Sequence, residues 1–166
     1  MSFSLESSDF TEGGAIPPRS TCEGDDVSPD LRWSGAPDGT RSFALIVDDP
    51  DAPDPAHPKM TYVHWVLYDI PAATTALARG ESGIGESGVN DWKRAGYGGP
   101  CPPIGRHRYF FKLYALDTTL PDLSRPTKPE LEQAMKGHIL AEAQLMGTYE
   151  KIHSSERNGA GPALKR

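Results

Sequence analysis

The chain has only two cysteines, no long apolar run and fewer basic than acidic residues. Cys22 and Cys101 lie far apart, and neither has a second Cys or a His at metal-finger spacing, which excludes a zinc finger. Free buried thiols are the expected state of the pair, with a disulfide or a reactive thiol as the alternatives. No stretch is apolar enough for long enough to cross a bilayer, and the residues after Met1, Ser-Phe-Ser-Leu-Glu-Ser-Ser-Asp, are not a signal-peptide core. A cytoplasmic protein without a transmembrane segment is therefore expected. Seventeen Lys and Arg against 23 Asp and Glu leave a formal charge of -6, so nucleic acid, whose recognition starts from a basic face, is set aside as a partner.

Turn residues are plentiful. With 17 Gly and 16 Pro in 166 residues, the composition suits a turn-rich, β-dominated fold and not a helical bundle. This length fits one domain, placed at residues 1–153, with a polar tail at 154–166 that reads as disordered. No internal repeat is visible.

Three segments read as strands. Ser42 to Val47 is a compact apolar run between Gly39 and Pro50. Thr61 to Pro71 is β-branched and aromatic, and simple alternation puts Tyr62, His64, Val66 and Tyr68 on one face. Residues 107–116 form the third, with His107, Tyr109, Phe111 and Leu113 sharing a face. Trp33 reads as a core anchor. Near the C-terminus, Thr127-Lys128-Pro129-Glu130 is a capping-box pattern. Leu131, Ala134, Met135, Ile139, Ala143 and Met146 then make a helical apolar stripe, so a helix is expected over 129–146, stopping at Gly147.

The stretch from Gly96 to Asp117 is the most distinctive. Gly96, Gly98 and Gly99 permit close backbone approach, Pro100, Pro102 and Pro103 freeze the loop, and the chain then enters the strand that opens with His107 and Tyr109. Two other strand ends carry chemistry: Asp48, Asp49 and Asp51 at the exit of the first strand, and His64 in the second. Each has a bland reading, the aspartates as a solvated turn and His64 as a satisfied core residue. The loop at 72–95, rich in glycine, is where binding residues tend to gather.

Taken together, Asp49-Pro50-Asp51-Ala52-Pro53, His64-Trp65-Val66, Gly98-Gly99-Pro100-Cys101-Pro102-Pro103 and Gly105-Arg106-His107-Arg108-Tyr109 resemble the phosphatidylethanolamine-binding proteins, which include the Raf kinase inhibitor proteins. The likeness covers about residues 3–152. Cys22-Glu23-Gly24 and Val27-Ser28-Pro29-Asp30-Leu31-Arg32-Trp33 resemble the bacterial and archaeal branch. The resemblance implies a mainly β fold, two antiparallel sheets in a Greek-key arrangement with peripheral helices, and a small pocket for phosphate or another anion. Carried over by residue, the pocket comprises Asp49, Asp51, Tyr62 at the rim in place of a vertebrate Trp, His64, the backbone of Gly99, Pro100, Cys101 and Pro102, and His107 and Tyr109. No cofactor or metal is implied. The expected role is a non-enzymatic regulator of a kinase or protease, with a homodimer allowed. The alternative is a hydrolase of phospho or acyl substrates, metal-dependent in one version, since two histidines and carboxylates also make a metal set. An aspartate facing an anion would repel it, so Asp49 or Asp51 is expected to orient a histidine, His64 in the first instance, or to donate as the protonated acid. Arg108 and Lys112 alternate away from the pocket face.

Overall fold

The computed structural model describes residues 2–152. The tail expected over 154–166 lies outside the described residues. Two antiparallel sheets make the fold. The smaller has the order β1 (Ser4–Glu6), β2 (Leu31–Ser34), β5 (Ala76–Leu77). The larger runs β6 (Glu86–Ser87), β4 (Met60–Pro71), β3 (Ser42–Ala52), β7 (His107–Leu116), β8 (Ile139–Tyr149). Its central strands are buried on both faces, which explains why their sequences read as nearly continuous apolar runs.

One face of the large sheet, with Phe43, Leu45, Val47, Trp65, Leu67, Tyr109, Phe111 and Leu113, packs against Leu5, Leu31, Trp33 and Leu77 of the small sheet and against Phe10 and Ile16. Trp33 meets Phe43 edge-on at 5.5 Å between ring centres, the geometry aromatic pairs favour. The other face, with Ala44, Ile46, Val66 and Tyr68, packs under Leu120 and the helix α1 (Lys128–Met135), which contributes Leu131 and Met135.

Helix α1 starts as its sequence dictates. Thr127 accepts from the Glu130 amide and Glu130 accepts from the Thr127 amide, with Pro129 in the first turn. It does not reach residue 146. Gly137 takes a left-handed φ of 85°, and from Ile139 the chain becomes β8, paired antiparallel to β7 from Leu116↔Ile139 to His107↔Tyr149. The expected helix over 139–146 is therefore a strand. Ala, Glu, Gln, Leu and Met favour helix when solvated, but β7 presents an open row of backbone donors and acceptors beside this segment, and pairing with it buries Ala143, Leu145 and Tyr149 on the core face.

A second correction concerns β4. Val47 pairs with Trp65 and Asp48 with Val63, so His64 is the extra residue of a β-bulge. Alternation breaks there: Tyr62 and His64 lie on the side of Tyr109, whereas Val66 and Tyr68 join the opposite cluster with α1.

Candidate functional site

A cavity of about 210 Å³ opens where β3, β4 and β7 meet the Gly/Pro loop. The bulge at His64 and the exit of β3 aim polar side chains into it, and loops close it. Asp49, His64, His107 and Tyr109 form its polar part; Ala52, Pro53, Met60, Tyr62, Trp92, Cys101, Pro102 and Pro103 form its walls. All four polar residues are buried.

His107 and Asp49 are locked together. Nδ1 of His107 lies 2.6 Å from Oδ2 of Asp49, and Nε2 lies 2.8 Å and 3.1 Å from the carbonyls of Ile104 and Pro53. Carbonyls only accept, so Nε2 carries a proton, while the carboxylate favours a second proton on Nδ1. Burial opposes the charge on this ring, but the hydrogen bond and charge of Asp49 and the two carbonyls outweigh it, and the His107 pKa is raised. The other oxygen of Asp49 accepts from the Asp51 amide at 2.7 Å. Both His107 nitrogens are thus engaged by the protein, with neither left to donate to a ligand.

His64 is the opposite case. Its Nδ1 donates to the Gly98 carbonyl at 2.8 Å, which leaves Nε2 as the cavity edge of a neutral ring. Burial lowers its pKa, against the Gly98 carbonyl and the charges of Asp49, Asp48 and Asp26, which raise it. Tyr62, Trp92 and Tyr109 surround the ring edge-on, with centres at 5.5, 5.1 and 5.2 Å. The aspartate expected to orient His64 orients His107 instead; a backbone carbonyl orients His64, and no side-chain pattern encodes that.

Tyr109 is 1% exposed and its hydroxyl has no hydrogen-bond partner among the described residues. Buried hydroxyls are seldom left so, because desolvation is then uncompensated.

Asp51 does not line the cavity. Arg108 binds it through Nε and Nη2 at 2.9 and 2.8 Å and through its amide at 2.9 Å, and this pairing lowers the Asp51 pKa. Asp48 turns to the opposite face, held by Lys112 and Lys128. Gly99 and Pro100 stand behind the wall, where the Gly99 amide donates to Asp26 at 2.7 Å and the Pro100 carbonyl accepts from Cys22. Pro100, Pro102 and Pro103 have no N–H, and the Gly98 amide donates to the His64 carbonyl. The Cys101 amide is therefore the one amide of residues 98–103 without a partner among the described residues.

The cysteines are not free thiols. Cys22 and Cys101 form a disulfide that ties the cavity loop to the 3₁₀ turn region at Pro18–Ser20, across a sequence separation of 79 residues. The fold brings them together, a juxtaposition their sequence distance concealed. Trp92 and Met60 are wall residues that sequence reasoning missed. A lone Trp in the polar Asn90-Asp91-Trp92-Lys93 segment was the available signal for the first.

Among the described residues, no serine, lysine or free thiol lines the cavity, and both oxygens of Asp49 are engaged. Among the described residues, no three His, Cys, Asp or Glu converge as metal ligands would.

The sequence pattern of the phosphatidylethanolamine-binding proteins matches residues 6–150. The chain belongs to that family. It is 44% identical over 153 residues to the UPF0098 protein of Methanothermobacter thermautotrophicus, covering 89% of this chain and 98% of that protein. A crystal structure of a phosphatidylethanolamine-binding protein homologue, CT736 from Chlamydia trachomatis, superposes with a TM-score of 0.86 at 41% identity, covering 90% of this chain and 98% of the other. E. coli YbcL, described as a member of the mammalian PEBP family, gives 0.81 at 34% identity over 91% of this chain and 99% of its own. The two sheets described above are thus those of the PEBP fold, and no helix among the described residues is long and apolar enough to cross a membrane.

Proposed function

We propose that this PEBP-family member is a non-enzymatic receptor for a small oxyanion, inorganic phosphate or a phosphate monoester, and acts as a regulator by capturing such a group on a partner such as a kinase or protease. The observation that carries the reading is the unpartnered, buried Tyr109 hydroxyl in a cavity whose wall holds the His107–Asp49 pair. The Tyr109 hydroxyl and the Cys101 amide are donors that suit an acceptor-rich ligand. The volume, below the roughly 300–1,000 Å³ typical of drug-sized ligands, favours an ion with at most a small substituent. Among the described lining residues no hydroxyl or thiol is hydrogen-bonded to a base, which supports binding over hydrolysis by a protein nucleophile.

Thermal unfolding with increasing phosphate, at ionic strength held constant with chloride, tests this. At tenfold excess over Kd, binding adds about 1.4 kcal/mol to the native state, or about 3–5 °C for a domain of this size. A melting temperature indifferent to phosphate, and to methyl phosphate, retires the reading.

A further inference from the structure

The carboxylates nearest the cavity already have basic partners. Asp49 is matched by His107 and Asp51 by Arg108, while Asp48, on the far face, has Lys112 and Lys128. His64, with its Nδ1 proton given to Gly98, adds nothing. An oxyanion entering this space would be a buried charge without a counter-charge, which is costly. It would also meet the lone pair of His64 Nε2, an acceptor facing an acceptor. Tyr62, Trp92 and Tyr109 pack about His64 in T-shaped contacts, and the charged side chains acting on the ring are the acids Asp49, Asp48 and Asp26.

We infer that the pocket takes up its oxyanion together with one proton, held between His64 Nε2 and a ligand oxygen, and so selects oxyacids whose last ionisation lies near neutrality over anions of strong acids. This rests on the oxyanion reading above and names the class of ligand. The proton removes both difficulties at once: it turns Nε2 into a donor and leaves the occupied cavity with one fewer net negative charge. The balance is one anion and one proton in, with no bond broken in the ligand. A phosphate monoester, with a second pKa of about 6, can bring the proton as its monoanion; sulfate has none to bring and must draw it from water onto the ring. Burial of the neutral ring is consistent with this, since His64 gains its charge only when a ligand is present to share it.

The test is calorimetric titration of the whole chain with inorganic sulfate and inorganic phosphate, at pH 6 to 8, in buffers of different ionisation enthalpy. With sulfate, the heat should vary with buffer enthalpy at a slope near one proton taken up, and affinity should fall about tenfold per pH unit above the ring's titration. The margin of phosphate over sulfate should grow with pH up to phosphate's own second ionisation and level off above it, where both anions must take up the proton. A folded His64→Gln variant should bind sulfate with no proton uptake and little pH dependence. Because the buffer slope is measured on the parent, the result does not hang on that variant folding. Binding of both anions with buffer-independent heat and flat pH dependence overturns the proton coupling and leaves the oxyanion reading standing. No binding of either ion at any pH overturns both.

Discussion

Asp49 and His107 sit 2.6 Å apart across neighbouring strands β3 and β7, and the remaining nitrogen of His107 is occupied by two carbonyls. The pair is therefore a structural element of the cavity wall, whose partners engage one another whether or not a ligand is present. In PEBP terms, the histidine that opens the most recognisable motif is the one least free to touch a ligand.

Asp49→Asn should destabilise the protein by about 1.5–3 kcal/mol, the range for a hydrogen bond between charged groups, and the loss should depend on pH. His107 is raised above its unfolded value, so the stability it contributes is fully present below about pH 6.5 and fades as pH rises through its folded value. The parent-minus-variant difference in urea unfolding should shrink from pH 6 to pH 9. An equal difference at both ends would mean that the ring is neutral throughout.

Tyr109→Phe removes a hydroxyl with no partner, so the free protein should lose little stability or gain some. Phosphate binding should weaken by roughly 10- to 100-fold, the worth of a hydrogen bond to a charged group. Melting curves with and without phosphate measure both. A destabilised variant with unchanged phosphate response would place the hydroxyl in the fold and not in recognition.

Replacing Cys22 and Cys101 by Ser should cost about 2–4 kcal/mol, since the disulfide closes a long loop in the unfolded chain. Amide exchange should quicken first in residues 18–26 and 98–103, which the disulfide ties together. Uniform acceleration across the sheets would assign the bond a global role. A disulfide is typical of oxidising compartments, a consideration separate from the lack of an apolar run on which the cytoplasmic expectation rests.

Gly99→Ala would put a Cβ far inside van der Waals contact of the Ser20 backbone carbonyl and of the Asp26 carboxylate, so backbone must shift. The expected cost is about 2–4 kcal/mol, with loss of the Gly99-to-Asp26 hydrogen bond and a displaced cavity wall. Denaturant unfolding and phosphate affinity should both change. A variant indistinguishable from the parent in both would show that the loop is not held as described.

The central strands, the capping box at Thr127 and the core role of Trp33 were legible in sequence because each depends on neighbours along the chain: apolar continuity, a side chain three residues from an amide, a large ring that must be buried. The PEBP motifs likewise announced the fold. Four features were not legible. Residues 139–146 favour helix locally and became β8 because β7 offered paired hydrogen bonds and a core face. The bulge at His64 redirected a side chain that alternation had grouped with Val66 and Tyr68. Asp49 chose His107 over His64, and Cys22 found Cys101. Each of these is a contact between segments far apart in sequence, and its energy exists only once the sheets have assembled. The composition and local patterns of this chain determine which segments are strands, turns and caps; the packing of those segments decides which polar atoms are satisfied by the protein and which, at His64 Nε2 and the Tyr109 hydroxyl, have no partner among the described residues.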